Sequence, residues 1–537
     1  MKKINKLFVA LAVAGVTMTS FNSCIEETQP TDVATVDQVE RSSLAAEALL
    51  MAMPAYFNHI WDEDRHWSWG YGAIMRIRDV QAGDIATSSS NYNHYNSWEV
   101  NRYMGDGYIY NQFIWNYYYA FVLAANSMIN GVNEATATDL QKGYLGAGLA
   151  FRALVYLDMA RSYEYLPTDG TSNINKDGND VTNLTIPIVT DTTSMENAKH
   201  NPRATREQMK TFILGDLEKA EKYIPFLKDT KGKTLPNLAC VYGLMARCYM
   251  WVEDYANAKK YARLAINNSP VGPMTEEQAL NTTTGFNVTD PWMWGAQQTK
   301  EDDCVQTGII NWTSWMSSES TFGYCGTGTG MTTLIDAAMY ERISDTDWRK
   351  LEFKAPSGSA LASKVRFANP TYAAEYDDLT IVKFRCGGGN IEDYTTGATT
   401  AYPIMRVEEM YFIEAEAAAH INEAEGRDLI IEFMKNYRDP NYTTVASGDR
   451  LIEEIVFQKR VEFILEGQSF FDIKRLDYPV IRGYAGTNHY ASARLNTTRR
   501  PAYMNYVMVR TEANNNDGVK GMNNPDPSDV YTPWTAQ

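Results

Sequence analysis

The stretch from 241 to 270, VYGLMARCYMWVEDYANAKKYARLAINNSP, constrains the fold more than any other part of the chain. Ala246, Tyr249, Ala258, Ala265 and Pro270 fall at the offsets of a tetratricopeptide unit. In such a unit two helices cross so closely that small side chains are needed at the crossing, an aromatic fills the space beside them, and proline ends the second helix. Weaker copies are AFRALVYLDMARSYEYLP (150–167), DLEKAEKYIP (216–225) and MYFIEAEAAAHINEAEG (410–426). Stacked helix pairs bury a continuous core and leave an extended face for binding. Helical periodicity also runs through 39–58, 108–129 and 140–165, so the expectation is an all-α, mainly helical chain.

Residues 271–400 break that rhythm, being rich in Gly, Thr, Asn and aromatics. They predict a long loop-rich insertion on the helical scaffold, a place where function is commonly carried.

At the N-terminus, Lys2, Lys3 and Lys6 precede an apolar run from Leu7 to Val16, and Ser23 precedes Cys24. A basic start and a short apolar run make a secretory signal, too short to remain as a spanning helix. A cysteine directly after a small residue predicts cleavage before Cys24 and acylation of its thiol, which would anchor the chain to a membrane. The expected organisation is a lipoprotein signal peptide at 1–23, a lipidated tether at 24–38 and a body at 39–537. Cleavage removes three lysines and no acid, so the formal charge moves from −17 to −20. Such a chain is repelled by nucleic acid and by anionic headgroups.

With Cys24 acylated, five cysteines remain, and none forms a C-x-x-C pair that would suggest structural zinc. Cys240 and Cys248 share a helical pattern and read as buried thiols. Cys304, Cys325 and Cys386 lie in loop-rich sequence, where an oxidising compartment leaves a disulfide open.

Catalytic signals are sparse. The chain has no H-E-x-x-H and no G-x-S-x-G, and His59, His66 and His94 lack ligand spacing, so no metal or cofactor is expected. GTGTGMTTLID (326–336) lacks the lysine of a phosphate-binding loop and reads as a helix start, with Thr333 and Asp336 forming a capping box. Asp62 and Asp64 in WDEDRHW could supply the two acids of a glycosidase, but adjacent loop acids more often face solvent or bind calcium. The protein is read as a binding protein, not an enzyme, with glycoside hydrolysis kept as an alternative.

Sugar rings lie flat on aromatic faces, and their hydroxyls pair with amides and charged groups. Two segments offer that mixture. One holds Trp67, Trp69 and Tyr71 with Asn91, Tyr92, Asn93, Tyr95 and Trp98; the other holds Trp292, Trp312, Trp315 and Tyr324. Their Gly-, Ser- and Asn-rich flanks predict a surface platform on which at least two of these rings are exposed.

The stretch EEIVFQKRVEFILEGQSFFDIKRLD (453–477) resembles the C-terminal hallmark of the SusD/RagB family through Arg460, Glu462, Glu466, Gly467, Phe471, Asp472, Lys474 and Arg475. Residues 150–167 resemble that family's helix ending in a Tyr-x-x-Pro-like corner, and Glu26-Glu27 resembles the surface-export signal of Bacteroidota lipoproteins. Gln468 stands where arginine is common, and MVRTEANNN replaces the usual Pro-Ile-Pro tail. The resemblance implies a SusD-like α/α superhelix on a lipid-anchored protein at the outer-membrane surface. It also implies capture of oligosaccharides for a SusC-like TonB-dependent transporter, with peptide binding of the RagB kind as an alternative. Sugar-stacking aromatics of that family come from regions corresponding to the two segments above. The charged hallmark itself reads as structural, fixing the exit of its helix.

Overall fold

Small residues recur where helices cross, and those crossings organise the chain. The computed structural model describes residues 43–61, 65–326 and 329–536. The expected signal peptide, the tether and Cys24 lie outside the described residues, as do Asp62 and Asp64. Helices of eight residues or more are α1 (Ser43–Tyr56), α2 (Tyr71–Ala82), α3 (Ile109–Asn130), α4 (Asp139–Tyr163), α5 (Arg206–Tyr223), α6 (Leu238–Trp251), α7 (Tyr255–Asn268), α8 (Val407–Ile421), α9 (Glu423–Tyr437), α10 (Asp449–Glu462) and α11 (Ser469–Leu476).

From α3 to α9 each helix packs on the next, giving the mainly helical superhelix that the repeats predict. Ala246, Ala258 and Ala265 are fully buried at the α6–α7 crossing. At Gly146 in α4 a Cβ would lie 2.7 Å from the backbone nitrogen of Ile224, so only glycine allows that approach. Local chemistry sets the starts: Thr138 and Thr205 each open a helix with a capping box, closed by Gln141 and Gln208.

Helix α7 packs directly on α8 although residues 269–406 lie between them, so the loop-rich segment is an excursion from an uninterrupted stack. Two short antiparallel sheets pin it down. Strand β1 (Ile85–Thr87) pairs with β3 (Thr333–Ile335), Ile85 opposite Ile335, and β2 (Trp294–Gln297) pairs with β4 (Ala401–Met405). The first sheet brings the loop after α2 against the excursion. Asp336 caps the turn Ala337–Arg342 through the Met339 amide at 2.9 Å, while Thr333 belongs to β3. The expected capping box is thus an aspartate cap alone, because strand pairing claims the threonine.

The hallmark charges are buried and paired. Glu462 receives Arg438 at 2.7 Å, Arg406 at 2.9 Å and Arg349 at 3.2 Å, and Glu466 receives Lys383 at 2.7 Å and Arg406 at 2.9 Å. Arg349 and Lys383 come from the excursion and Arg438 from the end of α9, so the network ties insert, scaffold and hallmark together. Gly467 follows at φ +65°, donating its amide to Asp79, with Met75 so near that a Cβ would lie 2.8 Å from its Cα. Removing one partner from such a network is costly because the others stay buried and uncompensated.

Cys240, Cys248, Cys304, Cys325 and Cys386 are all buried and free, so no bridge forms among the three loop cysteines. Among the described residues no helix is long and apolar enough to cross a membrane, and no group of side chains is set to hold a metal.

Candidate functional site

The two aromatic segments meet, but most of their rings face inward. Trp69, Tyr95, Trp98, Trp292, Trp312 and Trp315 are at most 1 % exposed, and Trp67, Tyr71 and Tyr324 are also buried. Of the twelve expected sugar contacts, only Asn91 and Tyr92 are exposed, Tyr92 at 52 %. The expectation of at least two exposed rings in that set is therefore corrected to one.

The physical reason is that the rings pack on one another. Trp312 stacks on Tyr402 at 4.6 Å and meets Trp69 and Phe384 edge-on. Trp67 and Trp98 close on Tyr110 and Phe113. Trp292 packs beside Phe286. Tyr71 donates to Asp158 at 2.6 Å, an acid that also holds Arg78. Asn93 is buried as a brace, donating to Thr87 at 3.0 Å and to Glu99 at 2.9 Å. Small flanking residues admit the rings: a Cβ on Gly72 would lie 2.3 Å from the Trp69 ring.

One aromatic column does reach the surface. Its floor is Arg76, fully buried, with its guanidinium 5.2 Å from the Trp315 ring and 5.4 Å from that of Tyr95. Arg76 also donates to the Trp315 carbonyl at 2.8 Å. Tyr324 stacks on Trp315 at 4.3 Å with the planes 16° apart. Above these, His66 and His94 stack at 4.2 Å and 7°, both standing edge-on to Tyr324. The Tyr324 hydroxyl bonds His66 Nδ1, and Trp315 Nε1 donates to the His66 carbonyl at 2.9 Å. Tyr92 lies at the outer edge, 6.3 Å from Tyr324.

The backbone under Tyr92 is held by the meeting of the two loops. Its amide donates to Ser90, whose hydroxyl donates to the Thr329 carbonyl at 3.3 Å, and Ser88 N–H donates to the Thr332 carbonyl at 3.2 Å. The strand pair β1–β3 thus continues into the rim of the aromatic column.

Above the buried Arg76 guanidinium, the outer rings of the column carry no charge at neutral pH. Burial, with His66 alongside, pushes the His94 imidazole down to about 4, and burial lowers His66 as well. Burial, with the Tyr92 phenol next, pushes Tyr324 up to about 12. Stacked face to face, two imidazolium ions would repel; two neutral rings attract. The surface therefore offers apolar ring edges, imidazole nitrogens, phenol hydroxyls and the Asn91 amide, a set suited to a neutral polyhydroxyl ligand. His66 and His94 were not expected as site residues, since His94 was judged on spacing along the chain and the stack forms only when the loops close. The signal was that His94 lies within NYNHYNSW and His66 directly before Trp67.

Two family models match the chain. Residues 73–250 match one described as starch-binding associating with outer membrane, and residues 366–534 match the SusD family. Among curated proteins, none matches the chain. Solved structures share the fold throughout. A SusD-like carbohydrate binding protein from Bacteroides vulgatus is 21 % identical at a TM-score of 0.69, covering 89 % of this chain and 97 % of its own. A SusD superfamily protein from Bacteroides thetaiotaomicron is 17 % identical at a TM-score of 0.65, covering 92 % and 100 %. Surface glycan-binding protein A from Bacteroides thetaiotaomicron, in complex with laminarihexaose, is 15 % identical at a TM-score of 0.60, covering 90 % and 99 %. With SusD-type matches in both its N-terminal and C-terminal parts, and the same helical architecture running through the whole body, this chain belongs to the SusD/RagB family.

Proposed function

We propose that the protein binds glycans at the cell surface, without catalysis, and passes oligosaccharides to a SusC-like TonB-dependent transporter. The observation that carries the binding step is the aromatic column ending in the neutral outer rings of Tyr92, His66, His94 and Tyr324. A saccharide lying on the outer ring would use Tyr92 as its platform, with Asn91 and the imidazole nitrogens reaching its hydroxyls. The buried tryptophans support that platform from beneath and do not touch ligand; Trp315 backs Tyr324, and Trp69 and Trp312 brace the segment behind it. The family description naming outer-membrane association, and the relative solved with laminarihexaose, support the reading. Acylation of Cys24 would hold the body beside the transporter.

Affinity electrophoresis against a panel of polysaccharides tests this reading. Retardation in at least one glycan gel is expected, with no release of shortened product. Silence across the panel, together with binding of peptides, would transfer the site to the alternative ligand class. Co-purification of a TonB-dependent transporter from outer membranes tests the delivery step, and its loss on Cys24→Ala tests the anchor.

A further inference from the structure

The hallmark helix also walls a separate cavity of about 210 Å³. Its sides come from the ends of α4 and α6, from α8 and α10, and from α11. The exposed Pro167, Asn183 and Glu253 at its rim open it to solvent. Seven cationic side chains line it against four carboxylates, in a chain whose formal charge is −17.

Most of the cations are matched. Arg247 holds Glu409, Arg206 holds Glu164 at 2.5 Å, Lys459 holds Asp472 at 2.8 Å, and Arg161 holds Asp158 at 2.6 Å. Three groups are not fully matched. Lys474, 2 % exposed, donates to the Ser162 carbonyl at 2.8 Å, and among the described residues no carboxylate lies in ion-pair range of it. Arg475 meets Glu416 and Asp472 through Nη2, leaving its buried Nη1 without a partner. Arg500 spends its guanidinium on the Pro167 and Lys474 carbonyls and meets Asp477 only at 3.6 Å, while Arg499 holds that acid at 2.6 Å.

Buried cations without anions are costly, and a cavity they line gains most from the ligand that supplies the missing charge. We infer that this cavity binds a small oxyanion, either free or carried as the carboxylate or sulfate of an acidic sugar, with Lys474 and Arg475 at its floor and Arg206 at its mouth. Planar guanidinium and ammonium donors together suit such oxygens, because charge-assisted hydrogen bonds to an oxyanion are shorter and stronger than neutral ones. Burial first, with Arg500 and Arg206 adding to it against the pull of Glu164, holds the Lys474 ammonium well below the usual lysine range. An anion in the cavity would reverse that direction. The site shares no residue with the aromatic column.

The test is titration of the purified protein with sodium sulfate, sodium phosphate or sodium glucuronate, sodium chloride holding the ionic strength constant. At least one of the three is expected to give a saturable rise in melting temperature of about 2 °C or more, as a ligand of the native state must. Lys474→Met should weaken that response about tenfold, and Arg206→Gln, at the half-buried mouth, about threefold. A response to glucuronate alone assigns the site to acidic sugars; a response to sulfate or phosphate alone assigns it to the free ion. Should Lys474→Met not fold, Arg206→Gln carries the comparison. Equal responses to all salts including chloride, or full responses in the folded variants, overturn the inference. Polysaccharide retardation, followed in parallel, should be unchanged in both variants, so the glycan reading and this one fail separately.

Discussion

The α6–α7 crossing and the segment 311–324 bury their central residues to the same depth, Ala246, Ala258, Trp312 and Trp315 all at 0 % exposure, by opposite routes. At the crossing, burial follows from spacing: Ala258 and Ala265, two turns apart on one helix, let it approach its neighbour, and the partner Ala246 lies only about a dozen residues away in sequence. In the excursion, burial follows from partners far along the chain. Trp315 is backed by Arg76, 239 residues earlier, and Trp312 stacks on Tyr402. A Ser- and Gly-rich flank is compatible with a surface loop, and equally with a core in which large rings need small neighbours. Periodicity therefore reports on the scaffold and says little about which face of an aromatic-rich loop meets water.

Truncating a ring in the second region should have the largest effect. Trp312→Ala removes a fully buried indole from contact with Tyr402, Phe384 and Trp69, so a loss of about 3–5 kcal/mol is expected in chemical denaturation. A surface platform residue would leave stability unchanged, so an unaltered midpoint would return Trp312 to the set of ligand contacts.

The first region should respond to added volume, not to removal. Ala258→Leu forces a larger side chain into the α6–α7 crossing and should cost about 1–3 kcal/mol, read as a lower urea midpoint with an unchanged slope. A neutral result would mean that the crossing has slack, which the repeat spacing does not predict.

The scaffold and the structural role of the hallmark were legible because each rests on short-range pattern: alanine spacing, and charges clustered on one helix and its exit. Glu462 and Glu466 declared a network, though their partners Arg349, Lys383 and Arg406 could be identified only in three dimensions. The site was legible as two segments and not as residues. Tyr92 and Asn91 were expected and are exposed; His66 and His94 were passed over because no sequence spacing connects residues that meet only when the segment before α2 and the loop after β1 fold together.

Tyr92 is where the two regions separate most sharply. Half its surface is free, so Tyr92→Ala should leave the melting temperature nearly unchanged while weakening glycan binding about tenfold, or about 1.4 kcal/mol. Calorimetry with a glycan retained in the affinity gels gives the first number and thermal denaturation the second. Loss of both together would place Tyr92 in the core with its neighbours.

The smallest effect is the most specific to the column. His94 has its folded-state pKa near 4, below its ordinary 6.5, because burial and His66 disfavour the imidazolium. Between those values the unfolded chain binds the extra proton and the folded chain does not, so acid favours unfolding of the column. The stabilisation is complete above about pH 6.5 and is lost as pH falls toward 4. Solvent reaching the half-buried ring keeps the change small. Glycan affinity reads the folded protein alone, so it should stay flat from pH 8 down to about pH 5 and decline only as pH nears the folded value of about 4, because a protonated His94 would break its stack with His66 at the edge of the platform. His94→Gln should flatten the decline, leaving only the slope contributed by His66. Affinity that rises on acidification would mean that the ligand seeks positive charge, and the neutral platform would have to give way to an anion-seeking one.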